Sequence, residues 1–252
     1  MDMSLRQRLH SGQRVVGPLQ IFDSAQVAES TGVAGMDFVV FDQEHGPLTA
    51  ETTLAMTVAA ERGGASPLVR VRENSPSEIQ RALDAGAGVQ IPQVETGGDA
   101  ERAVNAARFA PLGERGLSQY VRAGDYVGDP EYTENQNKTQ TVVLQVEGQR
   151  GVENIDEIVA VSGFDVVFLG PYDLSQSLGV PGEVHHEKVE TAMKQVVERA
   201  TAANKIVGTF ADDPEMARHW IDLGVQYVML SVDAPIFVRA LKDLLKQTSV
   251  ET

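Results

Sequence analysis

Acidic, amide and aromatic residues are concentrated where apolar runs of this sequence end. Residues 42–47 (DQEHGP) follow one run, residues 145–147 (QVE) close a second, and residues 170–173 (GPYD) follow a third. If the runs are successive strands, Glu147 and Asp173 lie close together, and two neighbouring carboxylates repel each other unless a cation joins them. An oxygen-only pair with open positions suits Mg²⁺, Mn²⁺ or a similar divalent ion.

Each of these two carboxylates has a structural alternative to metal binding. Asp173 precedes Leu-Ser, so it could simply cap the helix that follows. That alternative is weaker for Glu147, because an unpaired carboxylate at the end of an apolar run is costly to bury.

His45 is the candidate for proton transfer. It follows two carboxylates directly, and an imidazole close to Asp42 or Asp84 would have the raised basicity that this role needs. A single loop histidine is more often incidental. This one lies immediately after a strand, whereas the other four of the five histidines are in positions without chemistry around them.

Arg70 is the candidate for stabilising an oxyanion. In residues 67–72 (PLVRVR), strand alternation predicts that Arg70 and Arg72 point to the same side. A guanidinium at a strand end needs a charged partner or an oxyanion to stabilise. Arg70 is the preferred functional residue, and the alternative is that one of the two arginines only pairs with Glu44 or Glu73.

Short β-branched runs alternate with amphipathic stretches along the whole chain, which predicts repeated βα units. The predicted strands are residues 15–22, 37–42, 67–72, 88–94, 141–147, 165–170, 206–210 and 226–232. The predicted helices are residues 49–62, 76–85, 97–107, 187–204, 214–223 and 235–246. Residues 111–138, rich in Gly, Asp, Tyr and Asn, are predicted to form a long loop or a lid.

Eight βα units in 252 residues predict a single-domain (β/α)₈ TIM barrel spanning residues 1–252. An open doubly wound sheet would need a nucleotide-binding glycine motif after its first strand, and none is present. In a parallel barrel, catalytic groups come from the C-terminal ends of strands, which is where the polar residues are concentrated.

Composition excludes several classes of partner. With 21 Lys and Arg against 36 Asp and Glu, the net charge is −15, which disfavours nucleic acid and anionic membrane surfaces. The absence of cysteine excludes thiolate metal sites, disulfides and a thiol nucleophile. The sequence shows neither a leader peptide nor a run of about 18 apolar residues, so a cytoplasmic protein is expected.

Five motifs occur in order over about residues 19–244: Asp42-x-Glu44-His45-x-Pro47, Arg70, Leu83-Asp84-x-Gly86, Gln145-x-Glu147 and Gly170-Pro171-x-Asp173-Leu174-Ser175. This set resembles the HpcH/HpaI family of metal-dependent, class II pyruvate aldolases, which includes 4-hydroxy-2-oxoheptanedioate and 2-keto-3-deoxy sugar acid aldolases. The resemblance implies a modified (β/α)₈ barrel. It also implies a homohexamer, built as a trimer of dimers with the last helix exchanged between subunits.

The resemblance further implies a role for each matched residue. Glu147 and Asp173 would bind a divalent ion such as Mg²⁺, Mn²⁺ or Co²⁺, and Arg70 would face the 2-oxo oxygen of the substrate. His45, oriented by Asp84 or acting with Asp42, would move the proton. The remaining substrate contacts would come from Gln145, from Tyr172 and from the backbone around Asp173.

The function implied is reversible cleavage of a 4-hydroxy-2-oxo acid to an aldehyde and pyruvate, or a close relative such as hydroxypyruvate. An aldolase that instead forms a Schiff base needs a lysine at a strand end, and none is found there. The alternatives are an oxaloacetate decarboxylase or acyl-CoA lyase that uses the same enolate site, and a non-catalytic 2-oxo acid binding barrel. The family often has Arg-Gly-x-Gly where this chain has Arg115-Gly116-Leu117-Ser118, and often Ala at Tyr172, so the aldehyde is left open.

Overall fold

The computed structural model describes residues 3–248. Eight parallel strands close into a barrel in the order β1 to β8, and each pairs with its sequence neighbours. The strands are β1 (Val15–Gln20), β2 (Phe38–Asp42), β3 (Ser66–Arg70), β4 (Gly88–Ile91), β5 (Val142–Val146), β6 (Val166–Leu169), β7 (Ile206–Ala211) and β8 (Tyr227–Val232). The predicted (β/α)₈ barrel is confirmed, and every predicted strand overlaps an observed one.

Helices surround the barrel. They are α1 (Leu5–His10), α2 (Ala25–Val33), α3 (Ala50–Gly63), α4 (Pro76–Asp84), α5 (Gly97–Ala107), α6 (Tyr132–Thr139), α7 (Gln149–Glu153), α8 (Ile155–Ala160), α9 (Pro171–Ser177), α10 (Glu187–Ala202), α11 (Pro214–Asp222) and α12 (Asp233–Gln247). Within residues 3–248, no helix has both the length and the apolar composition needed to cross a membrane.

The interior of the barrel is apolar toward the N-terminal ends of its strands. Phe38 stacks on Tyr227 with ring centroids 4.2 Å apart, and Leu5 and Leu9 of α1 join the same buried cluster. A second apolar layer packs the helices against the outside of the strands. With these regions filled by apolar side chains, buried polar side chains can gather at the C-terminal mouth, as expected for this fold.

Residues 111–138 do not form a lid over the mouth. The segment connects the end of α5 to the start of β5, and it therefore packs on the N-terminal face of the barrel. There Arg122 donates a hydrogen bond to the backbone of Ala85 (3.1 Å), and Arg115 donates one to Asp84 (2.6 Å). The loop prediction was correct for most of the segment but wrong at its end, where α6 begins at Tyr132.

Helix α12 presents an unusually apolar exposed surface. Its exposed side chains include Phe237 (56% exposed), Leu244 (59%) and Leu245 (53%). Phe237 makes an edge contact with Phe22, and the helix packs mainly against β1 and β8. An exposed face of this kind is typical of a surface that another protein chain covers.

Asp165 organises the N-terminal face at the start of β6. Its buried carboxylate accepts hydrogen bonds from Arg6 (2.7 Å), His10 (2.9 Å), Arg108 (2.9 Å) and the Val142 amide (2.9 Å). Burial alone would raise the pKa of Asp165, but the His10 contact and the charges of Arg108 and Arg6 lower it below its ordinary value. The ionised carboxylate therefore stabilises the fold.

We predict that Asp165→Asn lowers the free energy of unfolding by about 3–5 kcal/mol, because buried Arg108 loses its charged partner. Urea denaturation at pH 7 measures this loss. A carboxylate whose pKa is lowered by folding contributes stability above its unfolded pKa and loses that contribution as the pH falls. The difference in free energy of unfolding between the wild type and Asp165→Asn should therefore narrow below about pH 4.

Asp156→Asn is the matched control for this prediction. Asp156 is 70% exposed and 3.6 Å from Arg199, so its loss should cost less than about 1 kcal/mol. Equal stability of Asp165→Asn and Asp156→Asn at pH 7 would contradict the stabilising role of Asp165.

Candidate active site

The polar residues found in the sequence meet at the C-terminal mouth of the barrel. Strand register places Asp42 beside Arg70 and Arg70 beside Gln90 on adjacent strands. Gln145, at the end of β5, is paired with Phe168 of β6. Parallel strands end at the same face, so residues separated by more than 100 positions in the sequence become neighbours.

Arg70 is fixed by two carboxylates. Its Nε and Nη2 donate to the two oxygens of Asp42 at 2.9 and 2.8 Å, and Nε lies 3.3 Å from Glu44. Burial would lower the pKa of Arg70, but the hydrogen bonds and charge of Asp42 raise it above its ordinary value. The guanidinium is thus permanently charged and held in one orientation, as stabilisation of a developing oxyanion requires.

Arg72 is not part of this arrangement. β3 ends at Arg70, so the strand alternation does not extend to Arg72. The Arg72 side chain is 62% exposed and donates two hydrogen bonds to Glu78 at 3.0 and 2.9 Å. The expectation that both arginines share one side was therefore wrong, whereas the preference for Arg70 agrees with its buried position.

Glu147 is a buried carboxylate without an ion-pair partner among residues 3–248. It accepts hydrogen bonds from the Gln145 side chain and from the backbone of Gln93 (2.8 Å). Burial, together with the negative charges of Glu44 and Asp173, raises the pKa of Glu147 to about 7 despite these hydrogen bonds. A site that concentrates negative charge in this way fits a bound cation.

Asp173 faces the same mouth from the first turn of α9. Gly170, not Asp173, is the N-cap of that helix. Gly170 also permits close approach, because a Cβ at this position would lie 2.9 Å from the Cβ of Glu147. Within residues 3–248 there is no group of three or more His, Asp and Glu side chains placed to hold a metal. The protein thus offers Glu147 and Asp173 as a carboxylate pair, leaving other coordination positions open.

His45 lies at the rim of the site, with a side chain that is 64% exposed. Its backbone donates to Asp42 (3.3 Å), while its ring lies 3.9 Å from Glu44. Asp84, the predicted orienting residue, does not approach His45. It is at the C-terminal end of α4, on the opposite face of the barrel, where it pairs with Arg115. Within one chain, therefore, Asp84 does not orient His45 as predicted.

Two cavities adjoin the carboxylate pair, and both are lined by His45 and Asp173. One has a volume of about 490 Å³ and is lined mainly by acidic and polar residues around Glu147. The other, of about 400 Å³, includes Arg70 and Gln145. A small 2-oxo acid could reach Arg70 and the carboxylates at the same time.

Tyr172 forms part of the wall of the smaller cavity. Its hydroxyl donates to Asp212 at 2.8 Å, and its ring makes an edge contact with Phe210, with centroids 6.0 Å apart. Burial and the contact with Asp212 raise the pKa of Tyr172 to about 12, so the hydroxyl keeps its proton at neutral pH. Tyr172, the predicted substrate contact, is thus hydrogen-bonded to Asp212, a residue that the sequence did not indicate.

No lysine lines either cavity within the described part of the chain. Lys205, the lysine closest in sequence to a strand, precedes β7 and therefore lies on the N-terminal face. There it donates to the backbone of Val161 (2.5 Å) and packs over the Phe164 ring. A Schiff-base role for Lys205 does not fit this position.

Sequence reasoning missed two residues of the site, Gln93 and Gln90. It named Glu44 only as a possible ion-pair partner of an arginine, and Glu44 lies between Arg70 and His45. Gln93 has a φ of 57°, a left-handed conformation, and directs its N–H at Glu147. Gln90 donates to Gln145 inside the barrel. The signal that could have indicated Gln90 and Gln93 is the presence of two glutamines around the end of β4.

The sequence matches the profile described as HpcH/HpaI aldolase/citrate lyase over residues 22–240. It is 37% identical over 217 residues to 5-keto-4-deoxy-D-glucarate aldolase from Shigella boydii, covering 86% of this chain and 84% of that one. A solved HpcH/HpaI aldolase/citrate lyase family protein from Burkholderia cenocepacia is 34% identical, with a TM-score of 0.93 and coverage of 98% and 99%. An HpcH/HpaI aldolase from Desulfitobacterium hafniense is 29% identical, with a TM-score of 0.92 and coverage of 99% and 98%.

Proposed function

The chain belongs to the HpcH/HpaI aldolase/citrate lyase family, and from this membership and its site we propose that it is a class II pyruvate aldolase. Such a carbon–carbon lyase cleaves a 4-hydroxy-2-oxo acid to an aldehyde and pyruvate, or to a close 2-oxo acid such as hydroxypyruvate. One observation carries the proposal: buried Glu147 has no ion-pair partner among the described residues, yet it lies beside Asp173 and close to Arg70.

Divalent-metal dependence is a property of this family. The residues that would hold the ion are Glu147 and Asp173, whose oxygen atoms suit Mg²⁺, Mn²⁺ and Co²⁺. When bound, the ion acts as a Lewis acid toward the 2-oxo acid and supplies positive charge where the reaction develops negative charge. The buried charge of Glu147 supports this assignment, because it is otherwise balanced only by hydrogen bonds from Gln145 and Gln93.

The residues of the chain have separate tasks in retro-aldol cleavage. A proton leaves the C4 hydroxyl, and the C3–C4 bond breaks with its electron pair moving toward the 2-oxo oxygen. The resulting enolate then takes up a proton at C3 to give pyruvate. Arg70 directs its fixed charge at that oxygen, and Asp42 keeps Arg70 in place. His45, at the accessible rim, is the proposed proton-transfer residue. Gln145 positions Glu147 through its side-chain amide.

The test measures pyruvate release from 4-hydroxy-2-oxo acids in an assay coupled to lactate dehydrogenase. Oxaloacetate and citramalyl-CoA are tested in parallel, because a decarboxylase and an acyl-CoA lyase would also pass through an enolate. We expect the highest kcat/KM with an aldol substrate. A higher value with either alternative would contradict the proposed reaction, and binding of pyruvate without turnover of any substrate would indicate a sensing barrel.

We also propose a homo-oligomer, a hexamer built as a trimer of dimers, in which α12 contacts a second subunit. The exposed apolar side chains of α12 support this assembly, since a large apolar surface is unfavourable in water. Light scattering coupled to size exclusion should give a mass about six times that of the 27.2 kDa chain. A monomeric mass at micromolar concentration would contradict it.

A further inference from the structure

The smaller cavity beside Arg70 is apolar on the side away from the carboxylate pair. Its apolar lining comes from β1, β6, β7 and β8, through Leu19, Phe168, Phe210, Met229 and Val232. The ring of Tyr172 adds to this surface through its contact with Phe210. An aldehyde group that extends from the reacting carbon into this cavity therefore meets carbon atoms, not hydrogen-bond donors.

Basic side chains around the two cavities are already paired with carboxylates. Arg70 is held by Asp42 and Glu44. Arg150, which lines the larger cavity, is 65% exposed and lies 3.2 Å from Glu95. Among the described residues that line either cavity, His45 is the other basic group, and it too lies near Glu44. A second carboxylate on the substrate would find no uncommitted cation in this part of the chain.

Acidic side chains, in contrast, line both cavities. Those of the larger cavity are Glu44, Glu95, Asp99, Glu147 and Asp173, and those of the smaller cavity are Asp173 and Asp212. A divalent ion on Glu147 and Asp173 would balance the two negative charges of that pair. It leaves the charge of Asp212 at the apolar cavity unbalanced.

Asp212 is held at this position. It follows β7 directly, and the Tyr172 hydroxyl from α9 donates to its Oδ2 at 2.8 Å. The contact joins α9, which follows β6, to the segment after the neighbouring β7 across one side of the cavity. Because the tyrosine hydroxyl donates this hydrogen bond, it fixes the position of the Asp212 carboxylate at the cavity.

We propose that this enzyme acts on monocarboxylic 4-hydroxy-2-oxo acids whose aldehyde half is uncharged, and that Asp212, positioned by Tyr172, rejects aldehydes carrying a carboxylate. The inference rests on the proposed aldolase function and specifies its substrate class. It also separates this chain from the Shigella boydii relative, because the substrate in that enzyme's name, a glucarate derivative, carries a carboxylate at each end.

The test compares two substrates with the metal-loaded enzyme: 4-hydroxy-2-oxopentanoate, which yields acetaldehyde, and 4-hydroxy-2-oxoheptanedioate, which yields succinic semialdehyde. Pyruvate release gives kcat/KM for each. We expect the wild-type enzyme to favour the monocarboxylate at least about tenfold, since like charges in a partly buried site repel each other. Asp212→Asn should reduce this preference at least about tenfold, mainly by raising kcat/KM for the dicarboxylate.

Two further variants separate this role from a general change of charge. Asp222→Asn removes one negative charge from the exposed C-terminal end of α11, on the opposite face, and should leave the preference unchanged. Tyr172→Phe keeps the ring but releases Asp212, so it should weaken the preference without abolishing it.

The inference is overturned if the wild-type enzyme prefers the dicarboxylate, or if Asp212→Asn changes the preference no more than Asp222→Asn. Both results require turnover of at least one substrate, so the aldolase function would stand. Release of pyruvate from neither substrate by the wild-type enzyme would instead overturn the proposed function, and the inference with it.

Discussion

Glu147→Gln should abolish divalent-metal binding at the site and lower kcat for retro-aldol cleavage by at least about 1,000-fold. Glu147 is the buried member of the carboxylate pair, and an amide of the same shape cannot supply its negative charge. Metal ions contribute several kcal/mol to stabilising charge in such reactions, and about 4 kcal/mol corresponds to a factor of 1,000. Calorimetric titration with Mn²⁺ and the pyruvate assay measure the two losses.

Folding does not explain this expected loss. Without metal, Glu147 is a desolvated carboxylate close to Glu44 and Asp173. Replacing it with an uncharged side chain should leave the metal-free protein at least as stable as the wild type in urea. Glu153→Gln, the same substitution at an exposed position of α7, serves as the control and should retain both metal binding and turnover. Wild-type Mn²⁺ affinity in Glu147→Gln would contradict the assignment of this ligand.

Arg70→Lys should lower kcat by about 100-fold or more while the protein remains folded. A lysine keeps the charge, but it cannot donate to both oxygens of Asp42 in the way that fixes the guanidinium. The charge would then no longer be held at one position, and removing one preorganised donor typically costs about 100-fold to 1,000-fold in kcat. Steady-state kinetics on an aldol substrate separate this effect on kcat from a change in KM.

Two other arginine variants complete this prediction. Arg70→Ala should lose activity further and also destabilise the protein by about 3–5 kcal/mol, because buried Asp42 loses its partner. Arg72→Ala removes an exposed guanidinium two residues later in the sequence and should change kcat by less than about threefold. Comparable losses in Arg70→Lys and Arg72→Ala would contradict the proposed role of Arg70.

The barrel could be predicted because each strand is a short apolar run that is buried on both faces. Strand ends were also predictable to within a few residues. The loop at residues 111–138 shows the limit of this reasoning. Its composition indicated irregular structure, but the face on which it packs depends on α5 returning the chain to the N-terminal side of the barrel. Only the topology excludes a lid.

The candidate site was predictable where one residue type carries the chemistry at a strand end. Glu147, Asp173, Arg70 and Gln145 all reach one mouth because parallel strands end there. Asp84 was expected beside His45, but it is the last residue of α4. The helix that follows a strand returns the chain to the N-terminal face of the barrel, so its last residue lies opposite the mouth. Hydrogen bonds between residues far apart in sequence are a further limit.

Tyr172 and Asp212 illustrate that limit, since their hydrogen bond joins residues 40 positions apart. Pro214 at the start of α11 indicates that Asp213 caps this helix, but no local pattern in the sequence indicates a partner for Asp212. The pairing follows from the adjacency of β6 and β7 and from the length of the tyrosine side chain, both of which require the folded chain.

The most direct test of the account is retro-aldol cleavage by one protein sample before and after metal removal. Pyruvate release is measured on a 4-hydroxy-2-oxo acid in the native state, after dialysis against EDTA, and after addition of Mn²⁺, Mg²⁺ or Co²⁺. We predict that turnover disappears with EDTA, returns with at least one of these ions, and leaves no covalent adduct when borohydride is added with pyruvate. Undiminished turnover of fully metal-depleted protein, or a lysine adduct trapped by borohydride, would contradict the metal-dependent mechanism.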